Sequence, residues 1–193
     1  MKRFVVFSVL LVLGLRPAST QQNANHVWKS AHYHNLTVGR STTKEVIAQL
    51  GSPTFVGPEE DTGVPMWTYK VQKPFPGFLY VYIRNGRLTG IGLGLASPVE
   101  MSEIVRIFGS GYRIVHYDFD DCLGEGGSAP VFRSPNGQLE DMEYPELGIS
   151  ASLHNGKVEE ISYTDRPSGP AHSRCPSKRS APAPSKPSNA HQP

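Results

Sequence analysis

Two Asn-Gly pairs, Asn85-Gly86 and Asn155-Gly156, constrain this chain more than any other feature. A two-residue hairpin of type I′ needs positive φ at both central positions, and Asn-Gly supplies it at least cost. Each pair is preceded by an alternating run, Phe78 to Arg84 and Gly148 to His154, and each is followed by a similar return. Asn85-Gly86-Arg87-Leu88 with Ile91 matches Asn155-Gly156-Lys157-Val158 with Ile161 at an offset of 70. Leu88 and Ile91 lie three positions apart, as do Val158 and Ile161, so a regular ladder would point each pair to opposite faces. One extra residue near Thr89-Gly90 and another near Glu159-Glu160, each a β-bulge, brings each pair onto one face. Leu79, Val81, Ile83, Leu88, Ile91 and Leu93 then form one apolar surface, and Ile149, Ala151, Leu153, Val158, Ile161 and Tyr163 form its counterpart.

A helix pattern precedes each hairpin. In Val38 to Pro53, Thr42 and Glu45 are spaced as a capping box. Val46, Ile47 and Leu50 are expected on one helical face, and Gly51 and Pro53 stop the helix. The later run begins at Ser97-Pro98-Val99-Glu100, a cap with proline at the first helical position, and ends at Phe108-Gly109. Val46-Ile47 and Leu50-Gly51 match Ile104-Val105 and Phe108-Gly109 at an offset of 58. The twelve additional residues fall in the glycine-rich stretch after Phe119. Met66 to Val71, Tyr112 to Phe119 and Met142 to Tyr144 read as further strands. The expected fold class is α+β, with two tandem helix-plus-antiparallel-sheet units over 36–95 and 96–165.

The first twenty residues read as a secretory signal: Lys2 and Arg3, an apolar run Phe4 to Leu15, then Ala18-Ser19-Thr20 as a cleavage region. Residues 21–35 form an N-terminal extension. Residues 166–193, rich in Pro, Ser and Ala with five cations, read as a disordered basic tail. Among the 193 residues the net charge of +2 is unevenly spread. The signal carries +3 and the tail +5, while the middle has 11 basic residues against all 17 acidic ones, a balance of −6. An acidic core lacks the cations that neutralise phosphates, so nucleic acid is not expected as a partner. No transmembrane span is expected after signal removal, and the protein is expected to be exported, periplasmic or secreted. Cys122 and Cys175 can pair as one disulfide in an oxidising compartment, with two unpaired thiols as the alternative.

The faces opposite the helices differ. In the second unit that face carries Ser150, Ser152 and Glu159, an ordinary solvated surface. In the first it carries Phe78, Tyr80 and Tyr82, and aromatics left wet often mark a partner-binding patch. The alternative is that they are covered by the N-terminal segment with Trp28 and Tyr33, or by the Tyr112 strand. His32 and His34 alternate but have no acidic or cysteine partner at metal-ligand spacing, so no metal or cofactor is expected. Asn35-Leu36-Thr37 fits a glycosylation acceptor. The run Asp118-Phe119-Asp120-Asp121 fails the EF-hand pattern, because Leu123 and Ala129 stand where glycine and glutamate are needed. A looser cation loop reaching Glu125 and a His116–Asp118 pair are the remaining enzymatic readings.

Gly39, Val46, Leu50, Gly51 and Pro53, followed by Trp67 and Tyr69, resemble the start of the SmpA/OmlA (BamE-like) outer-membrane assembly domain. The tandem arrangement over roughly 36–163 also resembles beta-lactamase-inhibitor-protein-like domains. That resemblance implies a sheet surface that binds a partner protein through aromatic residues. The lipoprotein cysteine of the assembly family has no counterpart after the apolar run, and Gly111 replaces the motif proline in the second unit. The combined expectation is a non-enzymatic, exported protein-binding or scaffold module whose partner is a protein of the envelope or the extracellular space. The alternative is an inhibitor of a secreted or periplasmic enzyme. A third reading is a small hydrolase or cation-dependent enzyme using the Asp118–Glu125 loop.

Overall fold

Both Asn-Gly turns form, with φ of 52° and 73° at Asn85 and Gly86 and of 51° and 76° at Asn155 and Gly156. The computed structural model describes residues 27–58, 63–124 and 129–175; the signal, most of the basic tail and Glu125 lie outside them. In chain order the elements are β1 (His32–Tyr33), β2 (Leu36–Thr37), α1 (Thr43–Leu50), β3 (Phe55–Pro58), β4 (Pro65–Val71), β5 (Gly77–Arg84), β6 (Arg87–Glu100) and α2 (Met101–Phe108). The second half adds β7 (Arg113–Phe119), β8 (Val131–Arg133), β9 (Leu139–Tyr144), β10 (Ile149–His154) and β11 (Lys157–Tyr163).

The expected α+β fold of two tandem helix-plus-sheet units does not form. The strands of both halves join in one nine-stranded antiparallel sheet of order β3-β4-β5-β6-β11-β10-β9-β7-β8. The two returning strands, each read as the end of its own unit, pair with one another: Ile91 faces Tyr163 and Leu93 faces Ile161. Joining satisfies the backbone groups that each strand would otherwise expose as an edge. It also explains why β6 runs to Glu100 instead of yielding to a helix at Ser97. Val99 and Glu100 pair with Val158 and Lys157, so α2 starts only at Met101, with no side-chain cap at Glu100.

The helices are minor elements, eight residues each. At 1.5 Å per residue each is about 12 Å long, too short to cover a nine-stranded sheet. The capping box of α1 is present: the Thr42 N–H donates to Glu45 Oε2 (2.7 Å), and the Glu45 N–H donates to Thr42 Oγ1 (3.3 Å). These bonds, led by the one from the Thr42 backbone, hold the Glu45 carboxyl below its usual range. Val46 is fully buried, but Ile47 is 45% exposed, so the expected three-residue face narrows to Val46 with Leu50 half-buried. The remaining cover comes from residues 31–38, whose Ala31, Tyr33, Leu36 and Val38 are buried in the same core as Val46 and Ile104.

Both bulges form where the residue spacing requires them. Tyr82 pairs with Gly90 and Ile83 with Leu88, which leaves Thr89 unopposed. Ser152 pairs with Glu160 and Leu153 with Val158, which leaves Glu159 unopposed. Eleven of the twelve residues assigned to the two apolar surfaces are buried, and Leu153 is half-buried against them. They make one continuous core because the two surfaces are halves of one sheet face. β3 and β8, both short edge strands, were not expected. Residues 166–175, the first part of the expected tail, run beside β8, where the Arg133 N–H donates to the Pro170 carbonyl (2.9 Å), and they end at a disulfide; residues 176–193 lie outside the described residues.

Candidate functional site

The face of the sheet away from the helices is traced by its register. One row runs Thr68, Tyr80, Gly92, Ser162, Ser150, Glu143, Arg113. The next runs Lys70, Phe78, Gly94, Glu160, Ser152, Asp141, Val115. Phe78, Tyr80 and Tyr82, the expected partner-binding residues, therefore share this face. Neither expected cover lies over them. Tyr33 packs edge-on against Tyr163 (5.3 Å), and Tyr112 packs against Tyr144 (5.7 Å), both on the helix-bearing face. Trp28 Nε1 donates to the Thr164 carbonyl (3.4 Å), beyond the end of β11. Phe78 is 48% exposed, and Tyr80 and Tyr82 are half-buried.

The half-burial of Tyr80 and Tyr82 comes from the strand beside them. Gly90, Gly92 and Gly94 alternate along β6, directly opposite Tyr82, Tyr80 and Phe78. A Cβ at Gly94 would lie 3.2 Å from Tyr80 Cε2, and one at Gly90 would lie 3.6 Å from the Tyr82 ring. The Tyr80 and Tyr82 rings thus lean onto bare β6 backbone as a shallow shelf, with the more exposed Phe78 beside them. The alternation Gly-Ile-Gly-Leu-Gly was visible in the sequence as a strand with one side-chain-free face. At the adjoining edge of the sheet, Phe55 (58%) and Val56 (57%) of β3 are also exposed.

The far half of this face is polar and closed. Glu143 is fully buried, and its carboxylate accepts from Arg113 Nε (2.9 Å), Arg113 Nη2 (2.8 Å), Arg133 Nη2 (2.7 Å) and the Tyr117 hydroxyl. Register makes the cluster: Arg113 lies opposite Glu143, and Arg133 lies opposite Tyr117. Burial, reinforced by the bond to Glu143, pushes the Tyr117 phenol well above its usual range. Burial also raises the Asp141 carboxyl, while a bond from Ser150 (2.7 Å) opposes the shift. With every oxygen of Glu143 engaged, the cluster acts as a clamp across β7, β8 and β9. No local signal predicts it, because its residues come from three separate stretches of chain.

The acidic loop has a different use from the one expected. Cys122 and Cys175 are joined by a disulfide. Asp120, 2% exposed, accepts from the Ser173 hydroxyl and from the N–H groups of Arg174 (2.9 Å) and Cys175 (3.2 Å). Those bonds, led by Ser173, lower its carboxyl below the usual range. The sulfurs lie close to Asp120, but a disulfide has no thiolate to offer a metal. His116 Nδ1 lies 3.6 Å from Glu140 across the strand pair, not against Asp118. β1 ends at Tyr33 and His34 turns with φ 52°, yet His32 and His34 both line one cleft on the helix-bearing side, where His32 Nδ1 is 3.1 Å from Thr37 Oγ1. Asn35 sits exposed beside His34 at this hairpin tip.

Among the described residues no helix is long and apolar enough to cross a membrane. No protein-family model matches the chain, and no curated protein matches it. A solved DUF4309 family protein (YjgB) from Bacillus subtilis is similar at 12% identity and a TM-score of 0.42, covering 69% of this chain and 84% of that one. An extracellular protein containing an SCP domain from Bacillus anthracis is similar at 12% identity and a TM-score of 0.39, covering 82% of this chain. The chain spans 50% of the length of that second protein. At such scores neither likeness carries an argument about fold or function.

Proposed function

We propose that this chain is an exported, non-enzymatic protein-binding module whose partner docks on the helix-free sheet face through Phe78, Tyr80 and Tyr82. One observation carries the reading: an aromatic shelf, held on the glycine positions of β6, lies on the face opposite both helices and residues 31–38. Rigid, partly exposed aromatics lose little side-chain freedom on binding and dominate interface energetics. Export is supported by the basic-then-apolar N-terminal pattern and by the Cys122–Cys175 disulfide, a bond of oxidising compartments. The partner is accordingly a protein of the envelope or of the extracellular space.

The test compares capture from envelope extract by the wild type, by Phe78→Ala/Tyr80→Ala, and by Ile47→Ala, which alters the opposite face. Each aromatic truncation at a hot spot costs about 2 kcal/mol or more, so the double variant should lose captured protein by at least a hundredfold. Ile47→Ala should retain it. Equal capture by the double variant and the wild type, with both folded, would remove the shelf from the mechanism.

A further inference from the structure

On the opposite, helix-bearing side the structure holds a cleft of about 590 Å³ that the aromatic shelf does not involve. Its floor is Tyr163, Ile149 and Tyr33, and its walls are Ile107 and Phe108 from the last turn of α2 with Leu147 from the β9–β10 turn. The size lies in the range of small-molecule sites, and the lining is largely apolar with few polar groups, as such sites require.

Two features of the polar groups point to a ligand of definite chemistry. Tyr163 is 3% exposed and lines the cleft, and no hydrogen bond occupies its hydroxyl among the described residues; the oxygen is not sealed off, since the buried unpartnered atoms there are Arg133 Nε and Tyr144 Oη. Burial pushes this phenol well above its usual range, aided by the neighbouring Tyr33, so it stays a donor. Its oxygen therefore faces the cleft as a donor that an entering acceptor can meet. The Tyr33 hydroxyl reaches only the Lys73 carbonyl, at a long 3.5 Å. The charge at the mouth is also unbalanced. Glu146 is taken by Lys29 (2.5 Å), whereas the exposed Lys73 ammonium has no ion pair among the described residues. The site therefore offers an apolar trough, an unused phenol donor and an uncompensated cation.

We propose that this cleft binds an amphipathic molecule with one apolar arm and a carboxylate head, the arm lying along Phe108, Ile149 and Leu147 and the head meeting Lys73 and the Tyr163 hydroxyl. A cationic amphiphile of the same length would place like charge against Lys73 and leave the phenol without an acceptor. A neutral alcohol would satisfy the phenol alone and bind with intermediate strength.

The experiment titrates the wild-type chain with decanoate, decanol and decyltrimethylammonium by calorimetry, below the micelle range of each. Decanoate should saturate one site and bind at least tenfold tighter than the cationic analogue. Tyr163→Phe keeps the ring and removes only the donor, and should weaken decanoate about tenfold, the worth of a hydrogen bond to a charged group. Lys73→Met, at an exposed position, should narrow the gap between decanoate and the cationic analogue without unfolding the chain. Absence of saturable decanoate binding, equal affinity for the two charged probes, or unchanged decanoate affinity in Lys73→Met would each overturn the proposal.

Discussion

Replacing Glu143 by Gln tests whether the clamp across β7, β8 and β9 holds this end of the sheet together. The amide keeps the shape of the carboxylate but loses its charge, and its NH₂ faces donors where an oxygen stood. Three donor groups, Arg113, Arg133 and Tyr117, converge on a side chain with no solvent exposure. Removing one partner of a buried ion pair costs about 3–5 kcal/mol. The Arg113 and Arg133 side chains keep 37% and 27% of their exposure, so water relieves part of the penalty. The expected loss is therefore near the lower bound, about 3 kcal/mol. For a domain of this size that is a fall in Tm of about 6–12 °C. The assay is urea and thermal unfolding followed by circular dichroism, run as a cycle with Arg113→Met. If the residues act as one unit, the double variant loses less than the sum of the singles, by about 1 kcal/mol or more. Additive losses, or a Glu143→Gln protein within about 0.5 kcal/mol of wild type, would refute the clamp.

Two further predictions follow from the core and the loop. Leu93→Ala empties a fully buried position at the β6–β11 junction and should cost about 2–5 kcal/mol in chemical denaturation, whereas Ile47→Ala on the outer side of α1 should shift the midpoint little. The Asp120 carboxyl is lowered in the folded state, so its contribution is complete above its ordinary value of 3.8 and is lost as pH falls below it. Asp120→Asn should accordingly be less stable than wild type at neutral pH, and the gap should close in strong acid; a gap independent of pH would mean that the carboxylate does not anchor residues 173–175.

Local features were legible because their causes are local. The Asn-Gly turns demand positive φ, the Thr42–Glu45 box caps α1, and the three-residue spacings of Leu88 with Ile91 and Val158 with Ile161 force a bulge in each returning strand. The placement of Phe78, Tyr80 and Tyr82 on the face away from the helices followed from period-two alternation alone. What residue patterns do not encode is which strand finds which neighbour once the chain collapses. The pairing of β6 with β11 turned two expected units into one sheet, extended β6 through Ser97, and so displaced the start of α2. The Glu143 clamp, the anchoring role of Asp120 and the cleft below Tyr33 depend on the same long-range register. Sequence by itself determined the Asn-Gly turns, the Thr42–Glu45 cap of α1 and the alternation of the hairpin strands. Tertiary structure decided which edges meet, because backbone groups at a strand edge are satisfied by any partner of the right geometry, and that choice is made by the whole fold.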